Sequence, residues 1–469
     1  MRLVEMQHLG TMGTMKIVLV RPNYKSHIIT PPLGLGYLAS FLKSHGIEAK
    51  IFDGLKENAR PDELAARIVA ERADAVGITC LTAFYNEAIE LSARLKQAGQ
   101  RVIIGGIHPT FLPHQTLKDS GCDYVVAGEG ELALLALVQA GFVNSGIPGV
   151  YSLRDLPDSD TPFRKAQPVT NLDDLPFPDW EQIDPRTYPK APHGAIVRNY
   201  PIGVVTTTRG CPCTCTFCAS PRFYDRTIRF RSPANVLAEI RHLVDTFGVR
   251  EIHFEDDNLT LKREHIESLC RMILDSGLNI SWACPNGVRA DRIDEPLVQM
   301  MKLSGCYYFA FGIESANQGI LDNIRKHERI EDIQRSIDIA AGAGISCQGF
   351  FIFGLPGETP TTIDETIQFA KTSKLGRAQF LILDVLPGSE LWSTLQGQFA
   401  PNWSKNSFKE PEWLPQGLTR EYLLKSQSRA FREFYLKSPR RILALARSIR
   451  PTQLKYLLRR LLDYRILHG

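Results

Sequence analysis

Residues 209–218 of this 469-residue chain read RGCPCTCTFC, and Cys211, Cys215 and Cys218 within that run follow a C-x3-C-x2-C spacing. The spacing places three thiolates on one short loop, close enough together to hold three corners of a cubane [4Fe–4S] cluster. One of the four irons would then lack a protein ligand and stay open to a small molecule. A zinc loop is the alternative, because Cys213 makes a fourth thiol available. However, no second Cys/His pair follows at zinc-finger distance, so we interpret Cys213 as a bystander.

The bulk composition sets limits on the class of protein. Hydrophobic residues make up 43% of the chain and charged residues 23%, which is typical of a globular protein. A net charge of +4 over this length does not indicate a nucleic-acid partner. The ten cysteines are not spaced as a disulfide framework, and no secretory signal or long apolar run is evident. We therefore expect a cytoplasmic protein.

The N-terminal part of the chain alternates short apolar strands with amphipathic helices. Residues 1–15 show little periodicity and are predicted to be a disordered tail, with Met15 as an alternative start, before a domain at residues 16–145. Strands are predicted at 16–20, 48–52, 74–79, 101–105 and 123–126, and helices near 33–45, 61–71, 83–98, 113–120 and 130–140. This α/β pattern predicts a doubly wound, flavodoxin-like parallel sheet with ligands at the carboxyl ends of its strands.

A second alternating series follows a proline-rich segment, residues 146–200, that we interpret as a linker or a chain that wraps between domains. Strands are predicted at 202–207, 250–254, 280–284, 307–312, 346–352 and 378–386, and helices near 233–247, 262–276, 294–304, 329–343 and 360–374. Six such units over residues 201–395 predict a partial (β/α)6 barrel, whose working residues should follow its strands. The cysteine loop, Glu255-Asp256-Asp257, Pro285-Asn286 with Arg289, and residues 312–315, 354–358 and 387–390 all occupy that position.

The cysteine spacing, with the aromatic Phe217 just before the third ligand, resembles the radical S-adenosylmethionine (SAM) superfamily. In that superfamily the amino and carboxylate groups of SAM occupy the open iron. The resemblance implies that Glu255 and Asp256 contact the SAM amino group, and that Glu314 and Ser315 reach its ribose or carboxylate. It further implies a carboxylate or cluster-side role for Arg289, and close passage of the backbone by adenine at Gly354 and Gly357.

Residues 31–39, 105–110, 128–131 and 173–180 resemble a subgroup of these enzymes whose N-terminal domain binds cobalamin. The resemblance covers about residues 16–395. It implies a cobalamin site that involves Thr79, Thr82, Gly105, Gly106, His108 and Glu129. No D-x-H-x-x-G motif occurs, so we expect cobalt to lack a histidine ligand and favour a capping role for His108.

A G-x-G-x-x-A run at residues 34–39, with Asp53 further on, offers dinucleotide binding as an alternative. In a dinucleotide fold the first glycine belongs to a tight turn directly after the strand. Thirteen residues separate Val20 from Gly34 here, so we disfavour nicotinamide or flavin binding.

The C-terminal region, residues 396–469, is predicted to be helical. Residues 437–469 hold nine lysines and arginines and one acid, beside a leucine stripe from Leu454 to Leu462. We expect a terminal helix packed on the barrel; the alternatives are an interfacial helix on anionic lipid, and then an RNA contact.

Together these features predict a radical SAM enzyme that uses a [4Fe–4S] cluster, SAM and cobalamin to functionalise an unactivated carbon, most simply by C-methylation. The alternatives are an oxidative cyclase of the anaerobic magnesium-protoporphyrin ester type, an RNA-modifying methylthiotransferase and a non-catalytic cobalamin sensor. We expect a small-molecule or lipid substrate, an electron donor such as flavodoxin or ferredoxin, and no nucleic acid. Peripheral membrane contact would run through the C-terminal helix.

Overall fold

The computed structural model describes residues 15–26, 28–154, 163–190, 197–404, 408–439 and 441–443. The chain divides into two compact units. Unit 1 comprises Met1–Tyr24, Pro32–Val169 and Asp174–Ile183, and unit 2 comprises Lys25–Pro31, Thr170–Asp173 and Asp184–Gly469. The predicted N-terminal tail, apart from Met15, and the leucine stripe of the C-terminal segment lie outside the described residues.

Unit 1 is a six-stranded sheet in the order β2-β1-β3-β4-β5-β6, with helices between its strands. The strands are β1 Lys16–Arg21, β2 Glu48–Asp53, β3 Ala75–Thr79, β4 Val102–Gly105, β5 Tyr124–Val126 and β6 Val150–Tyr151. The helices are α1 Leu33–Ser44, α2 Gly54–Glu57, α3 Pro61–Ala70, α4 Tyr85–Gln97, α5 Ile107–Phe111, α6 Pro113–Ser120 and α7 Gly130–Gln139. The first five strands are parallel and β6 is antiparallel. The doubly wound prediction is confirmed, with β6 as an addition.

Part of the proline-rich segment packs on unit 1 instead of running free between domains. Trp180 is 2% exposed and Ile183 is fully buried. A Cβ on Gly36 would lie 2.7 Å from Ile183 Cδ1 and 2.9 Å from Pro178 Cβ, so this contact explains the second glycine of the G-x-G-x-x-A run.

The Asp53 carboxylate belongs to a buried ion pair, which removes the acid that dinucleotide binding would require. Arg21 Nη2 lies 2.6 Å from Asp53 Oδ2, and both side chains are less than 10% exposed. The G-x-G-x-x-A run is therefore a packing feature of unit 1.

Unit 2 is built on six parallel strands in the order β14-β13-β12-β11-β10-β7. These are β7 Ile202–Val205, β10 Glu251–Phe254, β11 Ser281–Val288, β12 Cys306–Glu314, β13 Ser346–Phe353 and β14 Arg377–Ile382, beside a small antiparallel pair, β8 Thr208–Arg209 and β9 Arg229–Phe230. The helices are α8 Ser220–Phe223, α9 Pro233–Phe247, α10 Arg263–Asp275, α11 Glu295–Leu303, α12 Gln318–Asn323, α13 Ile330–Gly342, α14 Pro360–Thr372, α15 Glu390–Thr394 and α16 Arg420–Phe431. Because the end strands β7 and β14 do not pair, the sheet is open, and the prediction of a partial barrel is confirmed.

Two strand ends in unit 2 differ from the sequence prediction by four residues, those of β11 and β14. β11 continues through Pro285 and Asn286 to Val288, with an irregular register before Val288. β14 ends at Ile382, four residues earlier than predicted. Proline is tolerated in β11 because the pairing is interrupted at that point.

Side chains from the C-terminal region cover the outer edge of β14. Tyr435 Oη accepts a hydrogen bond from Ala378 N and donates one to Ala378 O, at 3.1 and 2.9 Å. Gln427 Nε2 donates to Phe380 O, and Ile382 N donates to Phe408 O. Four of the peptide groups that an edge strand would otherwise present to solvent are in this way satisfied.

Arg441, near the end of the described residues, is hydrogen-bonded to α14 of unit 2. Its guanidinium donates to the carbonyl oxygens of Ala370, Lys371 and Ser373 at the C-terminus of α14, at 3.0–3.2 Å. A cation there stabilises the helix terminus. Among the described helices, none is long and apolar enough to cross a membrane.

Candidate functional site

Unit 2 contains a cavity of about 850 Å³, and the cysteine loop forms part of its wall. The loop follows β7 at the carboxyl end of the sheet. Cys211, Cys213, Cys215 and Cys218 all line the cavity, as does Phe217. The three cysteines predicted to hold iron, and the aromatic residue beside them, therefore reach one common space.

The thiols suit a cluster better than a single ion. In the described residues, no group of three or more Cys, His, Asp or Glu side chains converges on one ion position. A zinc loop needs such convergence, whereas each cysteine of a cubane cluster binds a different iron. Burial raises the pKa of the Cys215 and Cys218 thiols, so cluster assembly has to displace their protons.

Carboxylates dominate the carboxyl-end part of the cavity. The acidic side chains in the described wall are Glu255, Asp257, Glu314 and Asp384. Each follows or ends a strand of the sheet, at the same edge as the cysteine loop. This charge suits the ammonium and sulfonium groups of SAM.

The most deeply buried charged pair in the wall joins Glu314 to Lys326. Lys326 Nζ lies 3.0 Å from Glu314 Oε1 and 3.5 Å from Glu328 Oε2. Burial works to lower the pKa of Lys326, but the two glutamates reverse the shift and raise it, so the lysine stays charged. Glu314 has a φ of +65°, and such strain in a non-glycine residue is characteristic of functional sites.

Arg289 connects this pair to the cysteine loop. Its Nη1 donates to Cys213 Sγ at 3.4 Å and to Lys326 O at 3.1 Å, and its Nε donates to Asp291 Oδ1 at 2.9 Å. Arg289 therefore lies beside the cysteine loop, and its cluster-side role stays a prediction. The residue it contacts there is Cys213, the cysteine outside the C-x3-C-x2-C set.

Four residues predicted for SAM lie away from the cavity wall. Asp256 accepts hydrogen bonds from Thr207 N, Thr207 Oγ1 and Thr208 Oγ1, which orients the start of the cysteine loop. Ser315 is fully buried beside Thr366. Gly354 and Gly357 have φ of +91° and +85°, and a Cβ on either would meet protein side chains of Leu423 or Asn323. Turn geometry and packing explain these four residues.

Asn258 and Lys326 are two of the lining residues that were not predicted from the sequence. Asn258 is 2% exposed, and neither Nδ2 nor Oδ1 has a hydrogen-bond partner among the described residues. A buried amide with two unused atoms that faces a cavity fits a polar ligand such as SAM. Lys326 carried no recognisable signal because it lies in a loop after α12, whereas Asn258 could have been found as the next polar residue after the acidic run.

In unit 1, the residues predicted for cobalamin gather at the carboxyl ends of β3, β4 and β5. Thr79, Thr82, Gly105, Gly106 and Glu129 are all half-buried there. Gly106 has a φ of +120°, and a Cβ on it would lie 2.4 Å from Cys80 O, so the neighbouring strand end requires this glycine. Hydroxyl and glycine groups at this edge fit a flat ligand that the backbone approaches closely.

The side chain of His108 is buried beside Thr82 and Tyr85. Its side chain is fully buried, Nδ1 lies 3.2 Å from Thr82 Oγ1, and its ring packs on Tyr85 with centroids 4.1 Å apart. Burial lowers its pKa to about 4, so the imidazole is neutral. This placement supports the proposal that cobalt receives no histidine from this domain.

Comparison with known proteins agrees with both units. Residues 24–138 match the B12 binding domain, and residues 205–370 match the radical SAM superfamily. An uncharacterized methyltransferase of Pyrococcus horikoshii is 33% identical over 439 residues, which is 91% of this chain and 94% of the relative. The chain belongs to the cobalamin-dependent radical SAM family. It is a radical SAM enzyme, and its cofactors are a [4Fe–4S] cluster, SAM and cobalamin.

Further known proteins are similar to this chain over most of its length. Cytidylyl-2-hydroxyethylphosphonate methyltransferase of Streptomyces wedmorensis is 31% identical, over 77% of each chain. The anaerobic magnesium-protoporphyrin IX monomethyl ester cyclase of Rubrivivax gelatinosus is 29% identical, over 90% of this chain and 78% of the cyclase. The structure of the radical SAM methyltransferase TsrM from Kitasatospora setae shares the fold, with a TM-score of 0.69 and 19% identity over 94% of this chain and 92% of TsrM.

Proposed function

We propose that this enzyme methylates a carbon atom of a small molecule held in the unit 2 cavity. The observation that carries the proposal is the cavity itself, which combines the cysteine loop, an acidic rim and an apolar wall. A volume of about 850 Å³ is in the range of small-molecule sites. When bound, the cluster and SAM supply a carbon-centred radical and cobalamin supplies the methyl group.

Different side chains bind the cluster and the charged groups of SAM. Cys211, Cys215 and Cys218 hold the cluster. Lys326 offers a cation to the SAM carboxylate, and Glu255 offers an acceptor to its amino group. These assignments follow from the placement of charge around the cysteine loop.

Further side chains orient the bound molecules and keep water out. Asn258 supplies an amide donor and an amide acceptor to SAM, and Glu314 holds Lys326 in place through their ion pair. Phe350, Ile352 and Leu381 line the cavity with apolar surface, which excludes water from a reactive carbon radical.

Isotope transfer tests the proposal. Cells that express the enzyme receive methionine with a deuterated methyl group, and their metabolites are compared with those of cells that express Cys215→Ala. We expect a metabolite with a CD3 group attached through a new carbon–carbon bond, and we expect it only in cells that express the wild type. A new product without deuterium would instead support the cyclase alternative, in keeping with the family's cyclase members.

A one-electron donor such as flavodoxin or ferredoxin, and a peripheral contact with anionic lipid, complete the proposal. The lipid contact would rest on residues 444–469, because Arg441 is already engaged at the C-terminus of α14. No feature of the described residues favours a nucleic-acid substrate.

A further inference from the structure

One basic side chain in the cavity wall has no role in the cofactor site described above. The described wall contains three basic side chains, of which Arg289 pairs with Asp291 and Lys326 with Glu314. The third is Arg377, the first residue of β14, and no carboxylate of the described residues lies within ion-pair distance of it. A half-buried cation without a counter-ion is costly unless a ligand supplies the negative charge.

The groups around Arg377 are neutral hydrogen-bonding side chains. β13 and β14 pair in a register that places Gln348 opposite Arg377 and Phe350 opposite Gln379. Gln348 Oε1 accepts a hydrogen bond from Tyr308 Oη at 2.8 Å, which leaves the Gln348 amide N–H groups available to the cavity. Burial raises the pKa of Tyr308, so its hydroxyl is neutral.

Position along the strands separates this group from the cofactor residues. Arg377 begins β14, whereas Leu383 and Asp384 follow its end beside the acidic rim. Six residues of extended strand span about 20 Å, so the backbone of Arg377 lies at the opposite end of β14 from the cysteine loop. Arg377 is therefore not among the residues assigned to the cluster or to SAM.

Alternate residues of the two strands form three cross-strand pairs in the wall. From the cysteine end inward these are Ile352 with Leu381, Phe350 with Gln379, and Gln348 with Arg377. Polarity increases along this series, from aliphatic to mixed to cationic.

We propose that the substrate carries an oxyanion, a carboxylate or a phosphate, that binds Arg377 and Gln348 at the inner end of the cavity. Its apolar body lies along Phe350, Ile352 and Leu381, and its reacting carbon points towards the cysteine loop. The planar guanidinium can bind either oxyanion through two parallel hydrogen bonds. This inference rests on the proposed function, since it assigns the cavity to the substrate.

Two probes of matched shape measure how much the negative charge of a ligand contributes to binding. Equilibrium dialysis of the reconstituted holoenzyme compares naphthalene-2-acetate with naphthalene-2-acetamide, which have nearly the same shape and differ in charge. We expect the acid to bind more tightly by about ten- to a hundredfold, as a charge-assisted pair provides. Arg377→Gln should reduce acid binding to the level of the amide and leave the amide unchanged, and Arg377→Lys should fall between.

Lys374→Gln is the matched control. It removes a positive charge three residues away, from an exposed side chain that pairs with Asp338 at 3.1 Å outside the cavity. The control should preserve the preference for the acid. Equal binding of both probes by the wild type, no binding of the acid at millimolar concentration, or an equal loss of both probes in Arg377→Gln would overturn the proposal.

SAM cleavage and methyl transfer, measured on the same variants, separate the two levels of inference. If the charge preference fails while deuterated methyl groups are still transferred to a metabolite, the oxyanion site is wrong and C-methylation stands. If the preference depends on Arg377 but no methyl group is transferred, the oxyanion site stands and the reaction class is wrong. Replacing the carboxylate probe with naphthyl phosphate then distinguishes the two oxyanions.

Discussion

A single methyl group added at Gly312 tests whether the Glu314–Lys326 pair binds SAM. A Cβ at this position would lie 2.6 Å from Glu314 Oε1 and 2.9 Å from Lys326 Nζ. Both distances fall well short of the roughly 3.5 Å at which non-bonded heavy atoms pack, so Gly312→Ala must displace the Glu314 carboxylate, the Lys326 ammonium group or both. The 3.0 Å charge-assisted hydrogen bond between them is then lost or reoriented.

The expected effect follows from the value of that bond. A hydrogen bond to a charged group contributes about 1.5–3 kcal/mol, which corresponds to a rise in the SAM dissociation constant of about ten- to a hundredfold. Calorimetry with the reconstituted protein measures the affinity, and iron analysis checks the cluster. We expect the iron content to be unchanged, because Gly312 is not part of the cysteine loop.

Gly342→Ala provides the control. It makes the same chemical change at the end of α13, where a Cβ would meet nothing within 4 Å. SAM affinity should be unaffected. Unchanged affinity in Gly312→Ala, an equal loss in both variants, or loss of iron with SAM binding retained would each refute the reasoning.

Four further outcomes can be measured. Cys215→Ala should abolish iron loading and SAM cleavage in anaerobic reconstitution, whereas Cys213→Ala should retain both; an active Cys215→Ala enzyme would contradict the cluster assignment. Burial raises the pKa of Glu358 from 4.5 to about 8, so the folded state holds a proton that the unfolded state has lost between those values, and stability falls as pH rises through that window. In urea denaturation at a series of pH values, the free energy of unfolding of the wild type should fall by up to about 1.4 kcal/mol per pH unit in that window, and Glu358→Gln should not show this fall. An identical slope in both proteins would contradict the prediction. Asp256→Ala should lower the melting temperature but not the SAM affinity of the folded protein. A loss of SAM affinity at an unchanged melting temperature would instead support a direct contact between Asp256 and SAM. Deleting residues 444–469 should abolish salt-sensitive binding to anionic liposomes; full-length protein that ignores liposomes at low salt would rule the contact out.

The sequence predicted the sheets well because buried parallel strands are continuous apolar runs between helices of clear periodicity. β6 was missed because a two-residue strand has no period to detect. The proline-rich segment was interpreted as a linker or a wrapping chain because proline excludes helix and central strand, and proline does not prevent packing. Trp180 and Ile183 show that such a segment can bury large side chains without regular structure.

At the candidate site, prediction succeeded where a local motif carries the chemistry. The cysteine loop could be recognised by spacing alone. The acidic run after β10 could not be resolved in the same way, because the alternation of side chains ends with the strand. Asp256 therefore turned out to face Thr207 and Thr208, while Asn258 faces the cavity. Arg377 was not predicted because it begins a strand, whereas residues that bind ligands in such barrels are expected to follow the strands.

The covered edge of β14 has a consequence for how the chain can be shortened. The radical SAM match ends at residue 370, before β14 begins, and the predicted barrel ends at residue 395. A chain cut at 395 keeps β14 but loses Phe408, Gln427 and Tyr435, which satisfy its outer peptide groups. A bare row of N–H and C=O groups is a template on which a second copy can add a strand. We therefore expect a chain that lacks the C-terminal region up to Tyr435 to be prone to edge-to-edge aggregation.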